Sequence, residues 1–334
     1  MKALITGTTG FIGSHVFKTL CEKGMEVKCL VRKSSKVEQL KKEGAELAYG
    51  DLLDKDSLHD AIRGVDIIYH LAGEVYSTED KNYHLNVIGT KNLLDACLSG
   101  NIKKFIYLSS IAAVGPNSGS GVVWDENSPC SPISPYGRSK YEAEQLLLET
   151  FRTHGLPVVI IRPPIVYGPR VSRSSRVFMF VHLINRGLYR AVGDGKNLIS
   201  MCYVDNLIQG ILLAGEKEGT EGKIYFIADE KPYTINEIAE AIAREEGVRL
   251  SSFHMPIWLA NIMAVILSVP SKLLGFVSPL SLDKIREMTS NWVCNISKAE
   301  RELGYRPITT FEQGIKKTVE WYSAYLKTAH KEQR

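Results

Sequence analysis

The sequence has few cysteines and lacks the common metal-binding motifs. Its six cysteines never form a C-x-x-C pair, and no H-E-x-x-H segment occurs. Cysteines scattered in this way are typical of reduced thiols, not of a disulfide framework or a zinc site. We therefore expect no bound metal ion and a reducing compartment.

The chain also lacks a basic block, and we expect no leader segment. The formal net charge of its 334 residues is +4, without a long run of one sign, so nucleic acid is not an expected partner. The first residues run directly into a predicted strand, which leaves no room for a signal peptide. With 44% apolar and 23% charged residues, the composition is that of a globular protein, and the expected location is cytoplasmic.

Short β-branched runs alternate with amphipathic stretches over the N-terminal half. Strands are predicted at 3–6, 27–31, 45–49, 67–71, 104–108 and 158–162, and helices at 13–23, 57–63, 86–98 and 136–154. This alternation predicts the α/β class, with a doubly wound parallel Rossmann sheet. The alternation stops after Pro163, and the remainder is predicted to be mostly helical, with one more parallel strand at 224–228.

A chain of this length exceeds what one hydrophobic core usually holds. We expect a dinucleotide-binding domain over 1–165, to which 196–229 returns, and a smaller helical substrate domain over 166–195 and 230–328.

A glycine-rich turn, Gly7-Thr-Thr-Gly10-Phe-Ile-Gly13, connects the first predicted strand to the first helix. Glycines allow a tight turn and let backbone N–H groups approach a pyrophosphate at the positive end of a helix. The position of the motif therefore favours a dinucleotide site over a purely structural turn. The predicted cofactor contacts here are Gly7, Thr9, Gly10, Phe11, Ile12 and Gly13.

No acidic residue stands at the end of the second predicted strand, Cys29-Leu-Val-Arg32-Lys33-Ser34. Folds that prefer NAD place Asp or Glu there to bond the ribose 2′-hydroxyl, whereas a guanidinium pairs well with a 2′-phosphate. Arg32 and Lys33 therefore favour NADP(H), with NAD(H) as the alternative if both only line a solvated loop. Asp51, after the third strand, is predicted to accept from the adenine amino group or to cap the next helix.

Tyr136-Gly-Arg-Ser-Lys140 places a phenol and an ammonium on one face of a predicted helix. The segment follows a strand that ends in the hydroxyls of Ser109 and Ser110, after a loop rich in Gly, Pro and Ser at 115–135. This order of elements makes the pair a candidate acid–base site.

With these motifs in this order, the chain resembles the extended short-chain dehydrogenase/reductase family of the epimerase/dehydratase type, close to 3β-hydroxysteroid dehydrogenases and dihydroflavonol reductases. The resemblance covers nearly the whole chain. Further matching segments are Asp51-Leu52, His70-Leu-Ala-Gly73, Asn86-Val-Ile-Gly-Thr90, Arg162-Pro-Pro-Ile-Val-Tyr-Gly-Pro169, Val204-Asp-Asn206 and Leu303-Gly-Tyr-Arg-Pro307.

The resemblance implies a role for each catalytic candidate. Tyr136 would be the general acid or base, and Lys140 would lower the tyrosine pKa and hold the nicotinamide ribose. Ser110 would bond the reacting oxygen, and Asn86 would steady the site through its backbone or a water unless it is a plain helix cap.

The resemblance also implies further cofactor contacts and a dimer. The contacts would come from Leu52, Leu71, Ala72, Gly73 and Pro163, and a homodimer would form through the helices at 86–98 and 136–153. Beside these residues, His70 and His84 are expected to be structural, and Ser109 only to finish its strand.

Two departures from family patterns reduce the number of reactions that this chain is expected to catalyse. Dehydratases that resemble this chain place Asp-Glu directly after the catalytic hydroxyl residue, whereas Ser110 is followed by Ile111-Ala112, so dehydration is rejected. Nucleotide-sugar epimerases usually carry a diphosphate-clamping arginine after the Gly-x-Gly turn, where this chain has Ile199. Epimerisation is weakened but stays open, because three other cations could compensate: Lys196, Arg173 and Arg176.

A charge-free stretch stands out in the C-terminal part. No Lys, Arg, Asp or Glu occurs at 250–271, and 257–269, between Pro256 and Pro270, is almost entirely apolar. A helix of that length measures about 20 Å, too short for a hydrocarbon core of about 30 Å. Three interpretations are open: a buried helix, the roof of a hydrophobic substrate pocket, or a helix in a bilayer surface with Trp258 at the interface.

Together these features predict an NADP(H)-dependent oxidoreductase acting on a secondary alcohol or ketone of a fairly hydrophobic small molecule, of steroid or flavonol type. The alternative is an NAD-dependent nucleotide-sugar 4-epimerase. A dinucleotide-binding regulator without turnover is disfavoured by the intact set of Ser110, Tyr136 and Lys140.

Overall fold

Parallel strands form the centre of the protein in the computed structural model, which describes residues 1–75, 77–117, 119, 121–274 and 281–332, with side chains described outside 268–274 and 329–332. The strands are β1 (Lys2–Thr6), β2 (Glu26–Val31), β3 (Glu46–Tyr49), β4 (Ile67–His70), β5 (Lys104–Leu108), β6 (Val158–Arg162), β7 (Ile165–Tyr167), β8 (Leu198–Ile199), β9 (Met201–Tyr203), β10 (Lys223–Phe226) and β11 (Tyr233–Thr234).

Seven strands join in one sheet in the order β3-β2-β1-β4-β5-β6-β10, and all pairs are parallel. β4, β5 and β6 are buried along their whole length, as expected of parallel strands that helices cover on both faces. The order reverses between β1 and β4, which is where doubly wound sheets open a ligand crevice. The predicted doubly wound sheet is therefore confirmed, and β10 confirms the additional parallel strand.

The helices cover both faces of this sheet and build the C-terminal region. Their bounds are α1 (Phe11–Glu22), α2 (Glu38–Lys42), α3 (Lys55–Ile62), α4 (Glu79–Tyr83), α5 (Gly89–Cys97), α6 (Pro135–His154), α7 (Arg176–Asn185), α8 (Val204–Glu216), α9 (Ile235–Glu246), α10 (Ile257–Leu274), α11 (Leu282–Thr289), α12 (Ser297–Leu303) and α13 (Phe311–Glu332).

Two cores lie on opposite sides of the sheet, because neighbouring strand residues point to opposite faces. Ile5 packs in one core with residues of α1 and α8. Leu4 packs in the other with residues of α3, α5 and α6. The two layers of helices therefore fix the carboxyl ends of the strands, where the loops that follow them meet.

The C-terminal region contains short strands that the sequence did not reveal. β7 pairs with β9, and β8 with β11, in two-stranded sheets, and runs of two or three residues show no measurable periodicity. The remaining elements there are the predicted helices. The division into two domains stays a prediction.

Three predicted helix boundaries were wrong. α1 begins at Phe11, inside the glycine motif, and a π-helical turn, His84–Ile88, precedes α5. α10 continues through Pro270 to Leu274, whereas we expected Pro270 to end it. A proline removes only its own N–H donor and kinks a helix, and the turns around it can continue.

α10 shows a buried stripe and a broad exposed face. Ala260 and Ala264 are buried against Ile285, whereas Trp258 and Ile266 are each 64% exposed. The interpretation of the stretch as a buried core helix is therefore wrong. Within the described part of the chain, no helix is both long and apolar enough to cross a bilayer.

Candidate active site

The predicted site residues gather at the carboxyl edge of the sheet. Each follows the end of a different strand, and in a parallel sheet these ends meet at one edge. In strand order they are Gly7 after β1, Arg32 after β2, Asp51 after β3, residues 71–73 after β4, Ser110 after β5 and Pro163 after β6.

The glycine turn packs so closely that a side chain at two of its glycines would collide with the backbone. Gly7 has a φ of +77°, and a Cβ there would lie 2.7 Å from the backbone nitrogen of Ala72. A Cβ at Gly13 would lie 2.1 Å from the carbonyl oxygen of Gly7. Gly10 is the N-cap of α1 and brings no capping side chain, so the first N–H groups of α1 point to an anion site. This cradle fits the pyrophosphate of a dinucleotide.

A hydrogen-bonded chain supports the segment after β4. The Thr6 Oγ1 accepts from the Ala72 N–H at 3.2 Å and contacts His70 Nδ1 at 2.7 Å. The other ring nitrogen of His70 lies 2.9 Å from Thr90 Oγ1. Burial, with the nearby Lys140 cation, lowers the pKa of His70 to about 3. His70 is therefore a neutral structural residue, as predicted; His84, also expected to be structural, is exposed and bonds the Asp80 carbonyl at 2.7 Å.

Asn86 clamps the loop that follows residues 71–73. Its Oδ1 accepts from the Glu74 N–H at 2.8 Å, and its Nδ2 donates to the Glu74 carbonyl at 2.9 Å and to Ser139 Oγ at 2.9 Å. The side chain belongs to the π-helical turn and is buried. The alternative of a plain helix cap is therefore wrong, because the amide is fully engaged with another segment. Its predicted role through the backbone or a water stays a prediction.

α6 is pressed against the turn that follows Ser110. Ser134 caps α6 by accepting from the Gly137 N–H at 3.3 Å. A Cβ at Gly137 would lie 2.3 Å from the Ala112 carbonyl oxygen, so only glycine allows this approach. The contact sets the first turn of α6, with Tyr136, beside the Ser110 turn.

Lys140 is buried beneath the site. Its Nζ donates to the Leu108 carbonyl at 2.7 Å and to the Tyr107 hydroxyl at 3.2 Å. A Cβ on Gly73 would lie 3.2 Å from the same nitrogen, so the ammonium faces the 71–73 segment. Burial lowers the pKa of Lys140 to about 7, and the Glu144 carboxylate opposes this shift. An ammonium has three donors, so one is left beyond these two hydrogen bonds.

The Ser110 hydroxyl can still donate a hydrogen bond. Its backbone is extended, and its Oγ accepts from the Ala112 N–H at 3.1 Å at the start of a short 3₁₀ turn, Ile111–Ala113. Accepting leaves the O–H able to donate to a ligand oxygen. The Ile111 N–H donates to the Pro163 carbonyl at 2.9 Å, which ties the Ser110 turn to the end of β6.

Behind these residues lies a buried ion pair that the sequence did not reveal. Arg162 donates from Nε to Glu144 Oε1 at 2.9 Å and from Nη2 to the other carboxylate oxygen. Glu144 is 0% exposed and Arg162 2% exposed. Ser109, expected only to finish its strand, donates to the same carboxylate. The spacing of Glu144, one turn after Lys140, was the signal available in the sequence.

The residues predicted to read the adenosine ribose lie on the surface. Arg32 and Lys33 are exposed after β2, and neither forms an ion pair with any residue that the structure describes. The Asp51 Oδ1 accepts from the Leu53 N–H at 2.9 Å. The N-cap of α3 is Asp54, so the alternative that Asp51 caps this helix is wrong.

A core residue occupies the position at which we expected an epimerase to carry its diphosphate-binding arginine. Ile199 is buried in β8 opposite Tyr233. Arg176 pairs with Glu287, and the Arg173 guanidinium stacks on Tyr325, 4.6 Å from the ring centre. Of the three compensating cations considered above, Lys196 is exposed without an ion pair among the described residues.

No metal centre is formed within the described ranges, where no group of His, Cys, Asp or Glu has the arrangement to hold an ion. The six cysteines are free thiols, and burial raises the pKa of Cys29 to about 12.

Comparisons with known proteins find relatives of two kinds, reductases and epimerases. The model of the NAD dependent epimerase/dehydratase family matches residues 3–228. A Stigmatella aurantiaca protein, 4-hydroxy-2-methyl-3-oxo-4-farnesyl-3,4-dihydroquinoline-1-oxide ketoreductase, is 27% identical over 94% of this chain and 95% of its own. An Escherichia coli O157:H7 protein, N-acetyl-alpha-D-glucosaminyl-diphospho-ditrans,octacis-undecaprenol 4-epimerase, is 26% identical over 98% and 96%. The solved structure of UDP-glucose 4-epimerase from Thermotoga maritima has 27% identity and a TM-score of 0.80, covering 98% of this chain and 100% of that one.

The cradle at Gly7 can be tested with a matched pair of alanine variants. Gly7 and Gly24 both have positive φ, but a Cβ on Gly7 meets backbone at 2.7 Å, whereas a Cβ on Gly24 meets nothing within 4 Å. Gly24→Ala should cost about 1–2 kcal/mol of unfolding free energy, the cost of a left-handed L residue. Gly7→Ala should cost more and abolish dinucleotide binding measured by calorimetry. Equal stability losses with binding retained in both variants would contradict the cradle.

The buried ammonium predicts a pH-dependent stability. The pKa of Lys140 falls from 10.5 to about 7 on folding, so between these values the unfolded chain holds a proton that the folded chain lacks. Wild-type stability should therefore fall, relative to Lys140→Met, as pH drops from 10.5 toward 7, by up to about 1.4 kcal/mol per pH unit.

This prediction is checked by urea unfolding of the ligand-free protein across that range. Lys36→Met, which removes an exposed lysine, is the control and should keep the wild-type slope. Parallel curves for wild type and Lys140→Met would show that the buried ammonium does not titrate as inferred.

Proposed function

We propose that this chain, which belongs to the NAD-dependent epimerase/dehydratase family, is an NADP(H)-dependent oxidoreductase that interconverts a ketone and a secondary alcohol on a hydrophobic small molecule. The observation that carries the proposal is the buried Ile199 at the clamp position, together with the engagement of Arg173 and Arg176 elsewhere. A sugar diphosphate would lack the usual arginine and could turn only to Lys196 among the three compensating cations, whereas a neutral substrate needs none.

The cofactor would be held by groups that fit its anionic parts. The N–H groups at the start of α1 suit the pyrophosphate, and Lys140 faces the segment on the nicotinamide side. Arg32 and Lys33 are free of ion pairs with described residues and would pair with a 2′-phosphate. When bound, the nicotinamide supplies or accepts the hydride.

Tyr136 and Ser110 would handle the substrate oxygen. In reduction, the Ser110 hydroxyl donates a hydrogen bond to the carbonyl oxygen, and Tyr136 gives that oxygen its proton; in oxidation the proton returns to the tyrosinate. A tyrosine pKa near 10 is poorly matched to neutral pH, so a nearby cation helps by favouring the charged form. Glu144, one turn after Lys140, raises the pKa of that lysine and so favours the cation.

Two relatives support a lipophilic substrate. The printed name of the Stigmatella ketoreductase contains a farnesyl group, and that of the E. coli epimerase contains an undecaprenol. One reduces a ketone and the other acts on a diphospho-sugar, but both substrates carry isoprenoid chains. We propose the same substrate character here, with the carbonyl on a molecule that bears a long apolar group.

The second candidate is a 4-epimerase, which the E. coli relative and the Thermotoga structure support. An epimerase oxidises and re-reduces one carbon and consumes no net cofactor. Mass analysis of the purified protein separates the two functions. Tightly held NAD(H) with interconversion of UDP-sugars would favour the epimerase, and an empty protein that oxidises added NADPH with a lipophilic ketone would favour the reductase.

The proposed assembly is a homodimer through the helical faces at 86–98 and 136–153. A shallow cavity of about 290 Å³ lies between these faces, lined by Tyr83, Val87, Ile88, Lys91, Glu142, Gln145 and Leu146. A second copy seated there would cover the exposed Tyr83 ring.

Removing the transferable proton tests the catalytic assignment. Tyr136→Phe keeps the ring but loses the O–H, so turnover of NADPH with a lipophilic ketone should fall by on the order of 10²-fold or more. Cofactor affinity should barely change. Tyr141→Phe, on the same helix, is the control and should retain activity. Near-normal turnover by the Tyr136 variant would refute the assignment.

The cofactor preference is tested at Arg32. Arg32→Asp should weaken NADPH binding by roughly 1.5–3 kcal/mol, the range for charge-assisted hydrogen bonds, while NADH binding holds or improves. Lys36→Asp makes the same charge change in the same exposed loop and should shift both affinities little. Equal losses of both cofactors with Arg32→Asp would place this residue outside the 2′ subsite.

A further inference from the structure

α10 presents a large apolar face that the fold does not cover. Trp258, Ile262, Val265 and Ile266 all have about half or more of their surface exposed, and Ile257 is nearly as open. Among the residues of α10 whose side chains the structure describes, only Ala260 and Ala264 are buried. A surface helix of a globular protein normally turns its large apolar residues inward. Here the small residues face the protein and the large ones face outward.

Neighbouring segments extend this face. Phe253, just before α10, and Leu282 and Met288 on the packed helix α11 are also exposed. We call these three residues, together with Ile257, Trp258, Ile262, Met263, Val265, Ile266 and Leu267, the apolar surface. Contiguous exposed patches of this kind mark interaction sites.

The charges around the apolar surface are mostly positive. The sequence carries no charge at 250–271, and this stretch is bounded by Arg249 and Lys272. On α11, Arg286 is exposed and Lys284 half-buried, against one exposed carboxylate, Asp283. Glu287 is buried and paired with Arg176. An apolar helix face with tryptophan and flanking cations fits the boundary of an anionic lipid bilayer. A protein partner would need polar groups to fix its orientation, and this face offers almost none.

The apolar surface belongs to a part of the chain that is bonded to the active-site loop. After α11, the Val293 N–H donates to Asn117 Oδ1 at 2.6 Å, and Asn117 Nδ2 donates to the Val293 carbonyl at 3.0 Å. The Trp124 N–H donates to the same carbonyl at 2.9 Å. Asn117 and Trp124 lie in the loop that follows the Ser110 turn. The segment that follows α11 is therefore hydrogen-bonded to the loop that follows Ser110.

We propose that the apolar surface docks on an anionic phospholipid bilayer, with α10 lying in the membrane surface. The site would then take its ketone or alcohol from a lipid in that bilayer, a step that rests on the proposed function. This arrangement explains why a protein without a membrane-crossing helix in its described residues exposes Trp258 and a row of aliphatic side chains. We prefer it to the pocket-roof interpretation, which stays a prediction, because the largest of these side chains are exposed.

The docking is tested by flotation of the purified full chain with phosphatidylcholine vesicles and with vesicles containing phosphatidylglycerol in addition. Wild type should float with the mixed vesicles and less with phosphatidylcholine alone. The double variant Trp258→Glu/Ile266→Glu should bind at least tenfold more weakly at an unchanged melting temperature. Tyr49→Glu/Ile308→Glu adds the same two charges at residues that are 48% and 66% exposed elsewhere and should float like wild type.

A second measurement tests whether Trp258 itself enters the bilayer. Quenching of tryptophan fluorescence by brominated lipids should be strong in wild type and lost in Trp258→Phe, because Trp124 and Trp292 are buried and the half-buried Trp321 packs against Phe178 and Tyr325. Wild type that fails to float, or a Trp258→Phe variant quenched like wild type, would overturn the proposal. So would an oligomer that the double glutamate variant dissociates in the absence of vesicle binding, since the surface would then be a protein interface.

Membrane docking and the proposed function can be refuted independently of each other. If flotation is lost in the glutamate variant but wild type shows no NADPH oxidation with any lipophilic ketone, docking stands and the proposed function falls. If wild type reduces a detergent-solubilised ketone but binds no vesicle, the function stands and docking is overturned.

Discussion

The buried ion pair between Glu144 and Arg162 is the interaction on which the site depends. It joins α6 to the end of β6 in a place without water, and its carboxylate also holds Ser109 at the end of β5. Buried pairs of this kind add little net stability, but losing one partner leaves an uncompensated charge that costs about 3–5 kcal/mol. The pair therefore acts mainly by fixing the position of α6 on the sheet. It fixes α6, and with it Tyr136 and Lys140, relative to the strand that delivers Ser110.

The same carboxylate sets the electrostatics of the lysine one turn earlier. Burial disfavours the Lys140 cation, and Glu144 favours it, so the charge of the ammonium depends on a balance that an incoming anion can shift. The pyrophosphate proposed to bind at the start of α1 is such an anion. Cofactor binding and protonation of Lys140 are then linked, because each favours the other. A lysine poised in this way suits a tyrosine that must give and take a proton at neutral pH.

The fold and the glycine turn could be predicted because both depend on local pattern. Buried β-branched runs alternate with helices, and Gly7 and Gly13 stand where a strand meets a helix. The clamp of Asn86 on the Glu74 backbone has no such pattern, because one partner is main chain and a π-helical turn aims the other. The Glu144–Arg162 pair is also long-range, since it forms only when α6 lies across β6. The end of α10 was predicted wrongly for the opposite reason. Pro270 is a local signal that normally ends a helix, but α10 continues through it to Leu274.

The charges of the site and of the surface both favour an uncharged, lipophilic substrate. Anion-binding features are concentrated where a dinucleotide would lie, at the start of α1 and after β2. On the substrate side, the clamp position holds buried Ile199, and the Arg173 and Arg176 cations are engaged by an aromatic ring and by a carboxylate. A substrate there gains little from being charged and is bound mainly through one oxygen, at Ser110 and Tyr136, and through its apolar bulk. Such a molecule is sparingly soluble in water and partitions into lipid. An enzyme acting on it meets far more substrate at a membrane than in solution, which gives the uncovered face of α10 a function in the same reaction.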